Sequence, residues 1–227
     1  MTDPHRRLQD ALDALDTAFA PFCEQPFPRG GCTYCYSDAD LDALAGPAHQ
    51  VPEELLALVT LESPGHWDDF PALYRRLTPR ILRLLTARRL HVDHALVASR
   101  LLAAAWHDWP APERAAVEDL WQAWWHSTLH EYPGHQSATG ALEVLAVTTG
   151  TLTPWLTTWT ETRTEAANRH LADALDDWLF EDRLVDLHLG FYGELPATAQ
   201  LLPWLLSLDE PRAGTTTLAE VKRIAYG

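Results

Sequence analysis

Lysine is almost missing from this chain of 227 residues: Lys222 stands alone, and 17 Lys plus Arg residues face 32 Asp plus Glu, a formal net charge of −15. A field of that sign repels phosphate backbones and anionic headgroups, so neither nucleic acid nor a membrane is expected as a partner. Long apolar runs are missing too. The longest, such as Leu201 to Leu208, fall far below the roughly 20 residues of a membrane span. The N-terminus opens on Asp3 rather than on a basic stretch followed by an apolar one, which argues against a secretory leader. The expectation is a soluble, cytoplasmic protein.

Cysteine is scarce and odd in number. Three residues, Cys23, Cys32 and Cys35, do not make the even-numbered disulfide framework of a small secreted domain. Phosphate loops of the Gly-x-x-x-x-Gly-Lys type, dinucleotide Gly-x-Gly-x-x-Gly turns, Gly-x-Ser-x-Gly elbows and EF-hand loops are all absent. P-loop nucleotide hydrolysis and elbow-type serine hydrolysis are thereby disfavoured. Strand signals are nearly absent as well.

What the sequence does contain is helix punctuation. The hydrophobic fraction of 47% can fill a continuous core, and one all-α domain over residues 1–227 is the expectation. Asp3-Pro4 opens a helix with Leu8, Leu12, Leu15 and Phe19 on one face, which Pro21 is expected to end. Ser37, with Asp40 three residues on, caps a short helix stopping at Gly46-Pro47. Pro52 begins another. Thr78-Pro79 is expected to start or kink a helix striped by Leu77, Ile81, Leu84 and Leu85, and Asp93 caps its partner. Pro112 begins a long helix ending before Pro133, Ser137 caps the next, and Thr153-Pro154 opens a third group. Pro196 to Leu208 and Thr217 to Ala225 read as closing helices. The spacing Thr78, Pro112, Thr153 approaches the period of HEAT-like helix-pair repeats, so a short right-handed α-solenoid of antiparallel pairs and an irregular multi-helical bundle are the two architectures expected.

The segment over residues 21–36 is the most informative. It is rich in Pro, Gly and aromatics, without periodicity, and long enough to need a staple. Cys32-x-x-Cys35 is a bidentate metal spacing, Cys23 adds a third thiolate, and His49 or His66 can complete a Cys3His structural Zn2+ site. Two other readings compete: a redox dithiol, which here lacks its βαβ setting, and three buried reduced thiols packed under Tyr34, Tyr36 and Phe27.

A second candidate is His126, His130 and His135 with Glu131. Two histidines at i and i+4 share a helix face and can chelate a divalent ion, with Glu131 as general base of a metal-dependent hydrolase. The spacing is not His-Glu-x-x-His, and Pro133 interrupts the helix. The polar face formed with Glu118, Asp119 and Gln122 explains these residues without a metal.

Third, Arg75, Arg76, Arg80, Arg83, Arg88, Arg89 and Arg100 crowd one segment in which Asp93 is the only acid. Arg76, Arg80 and Arg83 stack at helical spacing and are the candidate partner-binding stripe, weighed against pairing with the chain's own acids. The 10 tryptophans mark core stripes, but adjacent Trp124 and Trp125 point different ways on a helix, so one is expected near a surface or groove. The acidic run Asp173, Asp176, Asp177, Glu181, Asp182 and Asp186 lacks the histidines of a helical carboxylate centre and reads as a solvated face. Function is accordingly read as a non-catalytic interaction, adaptor or regulatory protein that binds another protein. The alternatives are the hydrolase and a helical small-molecule binder with its ligand among the tryptophans.

Overall fold

The computed structural model describes residues 3–134 and 137–226, apart from the Pro211 side chain. The chain is mostly helical, and it divides into two compact units, Met1–Trp124 and Trp125–Gly227, with the boundary inside one continuous helix. No helix among the described residues is long and apolar enough to cross a membrane.

The first unit contains α1 (Pro4–Cys23), α2 (Asp38–Ala45), α3 (Glu53–Leu61), α4 (Phe70–Thr86) and α5 (His94–Ala103), then the first part of α6 (Ala111–His130). Single 3-10 turns lie at Ala48–Gln50, Pro64–His66 and Trp106–Asp108. Helix α4 is the centre. Phe70, Leu73, Tyr74, Leu77, Ile81, Leu82, Leu84 and Leu85 are all buried on it, a burial too wide for a single solvent-backed stripe. Its most extensive neighbour is α1, which buries Leu12, Leu15 and Phe19.

Local capping sets several starts. The side chains of Asp3, Ser37, Asp93 and Ser137 each accept a first-turn backbone N–H, and Ser37 with Asp40 forms a full capping box. Two prolines depart from expectation. Helix α1 runs past Pro21 to Cys23, and α4 begins at Phe70 under an Asp69 cap rather than at Thr78-Pro79, with Pro79 inside the helix. Packing along both helices outweighs the one backbone hydrogen bond each proline removes.

Arginines close several C-terminal helix ends, where carbonyls lack intrahelical donors and the dipole is negative. The buried Arg76 donates to the carbonyls of Leu44, Gly46 and Cys23 at 2.9, 2.6 and 3.4 Å, at the ends of α2 and α1. Arg100 donates to Thr60 and Leu61 at the end of α3, at 2.9 and 3.2 Å.

The second unit takes the remainder of α6, then α7 (Ala138–Thr149), α8 (Thr153–Glu161), α9 (Glu165–Leu179), α10 (Thr198–Leu206), α11 (Glu210–Ala213) and α12 (Thr215–Tyr226). A 3-10 stretch, Phe180–Asp186, leads into a minimal antiparallel pair, β1 (His188–Leu189) with β2 (Leu195–Pro196), in which Leu189 faces Leu195. Arg212 repeats the capping device, donating to the carbonyls of Trp159, Thr160 and Thr162 around the end of α8. The core here is a ring cluster. Trp159 has Trp125, Trp178 and Trp204 within 5.3–6.3 Å centroid to centroid, and the indoles of Trp125 and Trp159 donate to the carbonyls of Trp155 and Ala167.

The expected exposure of one of Trp124 and Trp125 is corrected. Both are buried, at 2% and 0% exposure; Trp124 lies against Trp121, and Trp125 meets Trp159 edge-on. Adjacent helical residues do point different ways, and here both directions have covering side chains.

Candidate metal centre

Chain geometry around the cysteines is set first by glycine and aromatic packing. Gly31 has φ of 141°, open to glycine and strained for other residues, and a Cβ there would sit 2.9 Å from the Trp67 ring and 3.1 Å from Leu41. The loop therefore passes close over Trp67, whose ring is tilted against Tyr36 with centroids 4.5 Å apart. The Cys32 N–H donates to the His66 carbonyl at 2.8 Å, tying the loop to the 3-10 turn Pro64–His66. After Cys32 the chain turns at once: the N–H groups of Cys35 and Tyr36 both donate to the Cys32 carbonyl.

This folding brings Cys32, Cys35 and His66 together, with one ligand atom from each lying within 4.8 Å of the others. The Cys32 and Cys35 sulfurs are 3.5 Å apart. Of the imidazole nitrogens, Nδ1 is buried without a hydrogen-bond partner, while Nε2 lies 3.6 Å from a Glu62 carboxylate oxygen. The Cys35 backbone N–H, aided by the Cys35 thiol and by His66, holds the Cys32 thiol below its ordinary range. Cys35, exposed on the turn, is pushed up by its hydrogen bond to Cys32. Two thiols and an imidazole are a soft to borderline donor set suited to Zn2+, and a buried imidazole nitrogen with no partner is what a ligating histidine presents before the ion arrives. The residues fit the ion.

Cys23 lies outside this group. It sits at the end of α1, its thiol donates to the Arg76 carbonyl at 3.2 Å, and burial pushes it up to about 11. Sequence proximity to Cys32 did not translate into spatial proximity, because the last turn of α1 faces α4. Of the two histidines considered, His66 joins the sulfurs and His49 instead lines a cleft beside α4.

The other candidates are dispersed. His126 and His130 share one face of α6 with ring centroids 6.1 Å apart, but His130 Nδ1 lies 2.8 Å from the His126 carbonyl of its own helix. His135 lies outside the described residues. Glu131 follows α6 and its carbonyl meets His170 Nε2 at 2.8 Å. The acidic side chains from Asp173 to Asp186 are exposed.

The three arginines of the stripe all have partners within the chain. Arg76 is 2% exposed and caps two helix ends, Arg80 donates to the carbonyls of Ala48 and Val51, and Arg83 pairs with Asp13 and Asp16 at 3.2 and 2.5 Å. The spacing of three and four that aligned these residues put them on the face of α4 that meets α1 and the α2–α3 connection, where all three line a cleft beside the helix.

Compared with protein-family models, with curated proteins and with solved structures, the chain matches none.

Proposed function

We propose that the chain is a non-catalytic interaction or regulatory protein, an irregular helical bundle whose N-terminal loop is stapled by a zinc ion on Cys32, Cys35 and His66. The observation that carries this reading is the convergence of two thiols 3.5 Å apart on an imidazole with a buried, unpartnered Nδ1. When bound, the ion supplies a cross-link between the loop and the turn before α4, and no part of the hydrolytic reading is needed. Glu62, close to Nε2, serves to orient the ring, as carboxylates near ligating histidines do. Three protein ligands leave a fourth position to solvent or to a donor from another molecule.

Bundle packing is favoured over repeats because α1 lies mainly on α4 rather than on its sequence neighbour. Three unpaired thiols favour a reducing, cytoplasmic setting. A protein partner is the expected ligand of the whole molecule. Tyr34, 97% exposed between the two cysteines, offers an aromatic anchor beside the metal.

Metal analysis per chain tests the core of this reading. Wild type, Cys23→Ser and a His126→Ala, His130→Ala variant are expected to carry about one zinc each, and Cys32→Ser, Cys35→Ser and His66→Ala to lose it. Loss with the α6 histidines, or no stoichiometric metal in protein purified without chelator, would overturn it. For the interaction half, cross-linking capture should return a protein whose recovery falls with Tyr34→Ser; capture that repeatedly returns none would sink it.

A further inference from the structure

A cleft of about 660 Å³ opens beside α4 in the first unit, apart from the cysteine and histidine cluster. Volumes of about 300–1,000 Å³ are those of small-molecule sites. Its wall is apolar at Ala20, Pro47, Ala48 and Pro79, and its charged groups are three arginines, Arg76, Arg80 and Arg83, and two acids, Asp16 and Glu24.

Those cations differ in how far the protein satisfies them. Arg83, paired with Asp13 and Asp16, is neutralised. Arg76 meets the negative ends of α1 and α2, although its buried Nε has no hydrogen-bond partner. Arg80 is the exception. Among the described residues only its Nη1 is engaged, by the neutral carbonyls of Ala48 and Val51 at a single 3-10 turn too short to carry a useful dipole. Nε and Nη2, the pair that forks a carboxylate, have no acceptor among the described residues. Glu53, the acid whose charge acts on Arg80, is itself hydrogen-bonded to Arg89 at 2.5 Å. A half-buried guanidinium without a counter-ion is costly in a chain with so many carboxylates to offer, and a ligand anion would offset that cost.

We propose that this cleft binds a small organic acid, with its carboxylate forked by Arg80 and its apolar body lying over Ala20, Pro47 and Pro79. The site stands apart from the zinc reading, and its test needs no metal. Guanidinium matches a planar carboxylate through two parallel hydrogen bonds, and the apolar walls reward a ligand larger than an inorganic anion.

The test is calorimetric titration of the full chain with a panel of aliphatic and aromatic carboxylates, each beside its carboxamide, for example 2-naphthoate beside 2-naphthamide. At least one acid is expected to bind tenfold or more tightly than its amide. Arg80→Gln should abolish that difference while keeping the wild-type circular dichroism spectrum. Arg80→Lys, which keeps the charge and loses the fork, should retain a part of it. Arg169→Gln, in the second unit, serves as control and should bind as wild type does. Failure of every acid to bind at millimolar concentration, equal affinity for acid and amide, or undiminished binding to a folded Arg80→Gln protein would each overturn the proposal.

Discussion

Arg75 and Glu113 form a forked ion pair, Nε to Oε2 and Nη2 to Oε1 both at 2.6 Å, joining α4 to the first turn of α6. Glu113 is buried, and the guanidinium is covered further by Phe22, whose ring centroid lies 4.1 Å from it. Removing one partner of a buried pair leaves the other charged without compensation. Glu113→Gln should therefore destabilise the protein by about 2 kcal/mol, reduced from the fully buried case because Arg75 retains some solvent contact. Urea unfolding followed by far-ultraviolet circular dichroism reads this, and a midpoint unchanged from wild type would show the pair to be energetically idle.

Gly31→Ala should weaken zinc without touching a ligand. An added methyl would press on Trp67 at 2.9 Å in a backbone region that side chains rarely adopt, at a cost of roughly 1–3 kcal/mol. If the zinc affinity couples to loop position, competition with a chelating dye should show about a tenfold loss. Wild-type affinity in this variant would mean that the ligands assemble independently of the loop's seat on Trp67.

Cys23 should resist alkylation. Burial lifts its thiol to about 11, so at pH 8 only about a thousandth is thiolate. Metal-free protein treated with iodoacetamide should be modified at exposed Cys35 well before Cys23, as resolved by peptide mass spectrometry. Because the folded value lies above the ordinary 9.0 of a free thiol, the thiol's contribution to stability is complete below pH 9 and declines as pH climbs toward 11. Rapid labelling of Cys23 at pH 8 would contradict its burial against the Arg76 carbonyl.

His94, at the start of α5, is depressed from 6.5 chiefly by burial, with Arg88 adding to the effect and Asp93 opposing it. Its folded form thus takes up a proton less readily than its unfolded form. The sign follows: stability is fully present above pH 6.5 and is lost as pH falls through that value toward the lower folded one. His94→Gln should flatten the decline between neutral and mildly acidic pH in a thermal-shift series. An identical slope in the variant would assign the acid sensitivity elsewhere.

Helix starts were readable wherever the signal is local. A hydroxyl or carboxylate at Asp3, Ser37, Asp93 or Ser137 needs only the next few residues to act, so single-chain reading finds it. Proline misled at Pro21 and Pro79 because the local rule competes with burial that the sequence does not display: α1 and α4 continue through their prolines along the faces they bury. The cysteine site was half legible. Cys32 and Cys35 carry their geometry in their spacing, whereas the choice of His66 over His49 depends on how the 3-10 turns fold back, and Cys23 looked like a ligand only along the chain. Arg76, Arg80 and Arg83 were visible as a stripe, but a stripe does not tell which side of the helix meets solvent. Their roles, Arg76 on the ends of α1 and α2, Arg80 on the 3-10 turn at Ala48–Gln50 and Arg83 on Asp13 and Asp16, emerge only when those segments arrive beside them.

The close seat of Gly31 on Trp67 bears on how long an ion would stay. A loop already held by an indole, by the Cys32 amide bond to His66 and by the Arg29 to Asp42 contact does not need metal to find its course. Much of the ordering entropy that a zinc ion supplies to an isolated finger is then contributed by the polypeptide itself. On the zinc reading proposed above, occupancy is then separable from folding: the ion would leave while the helices stand.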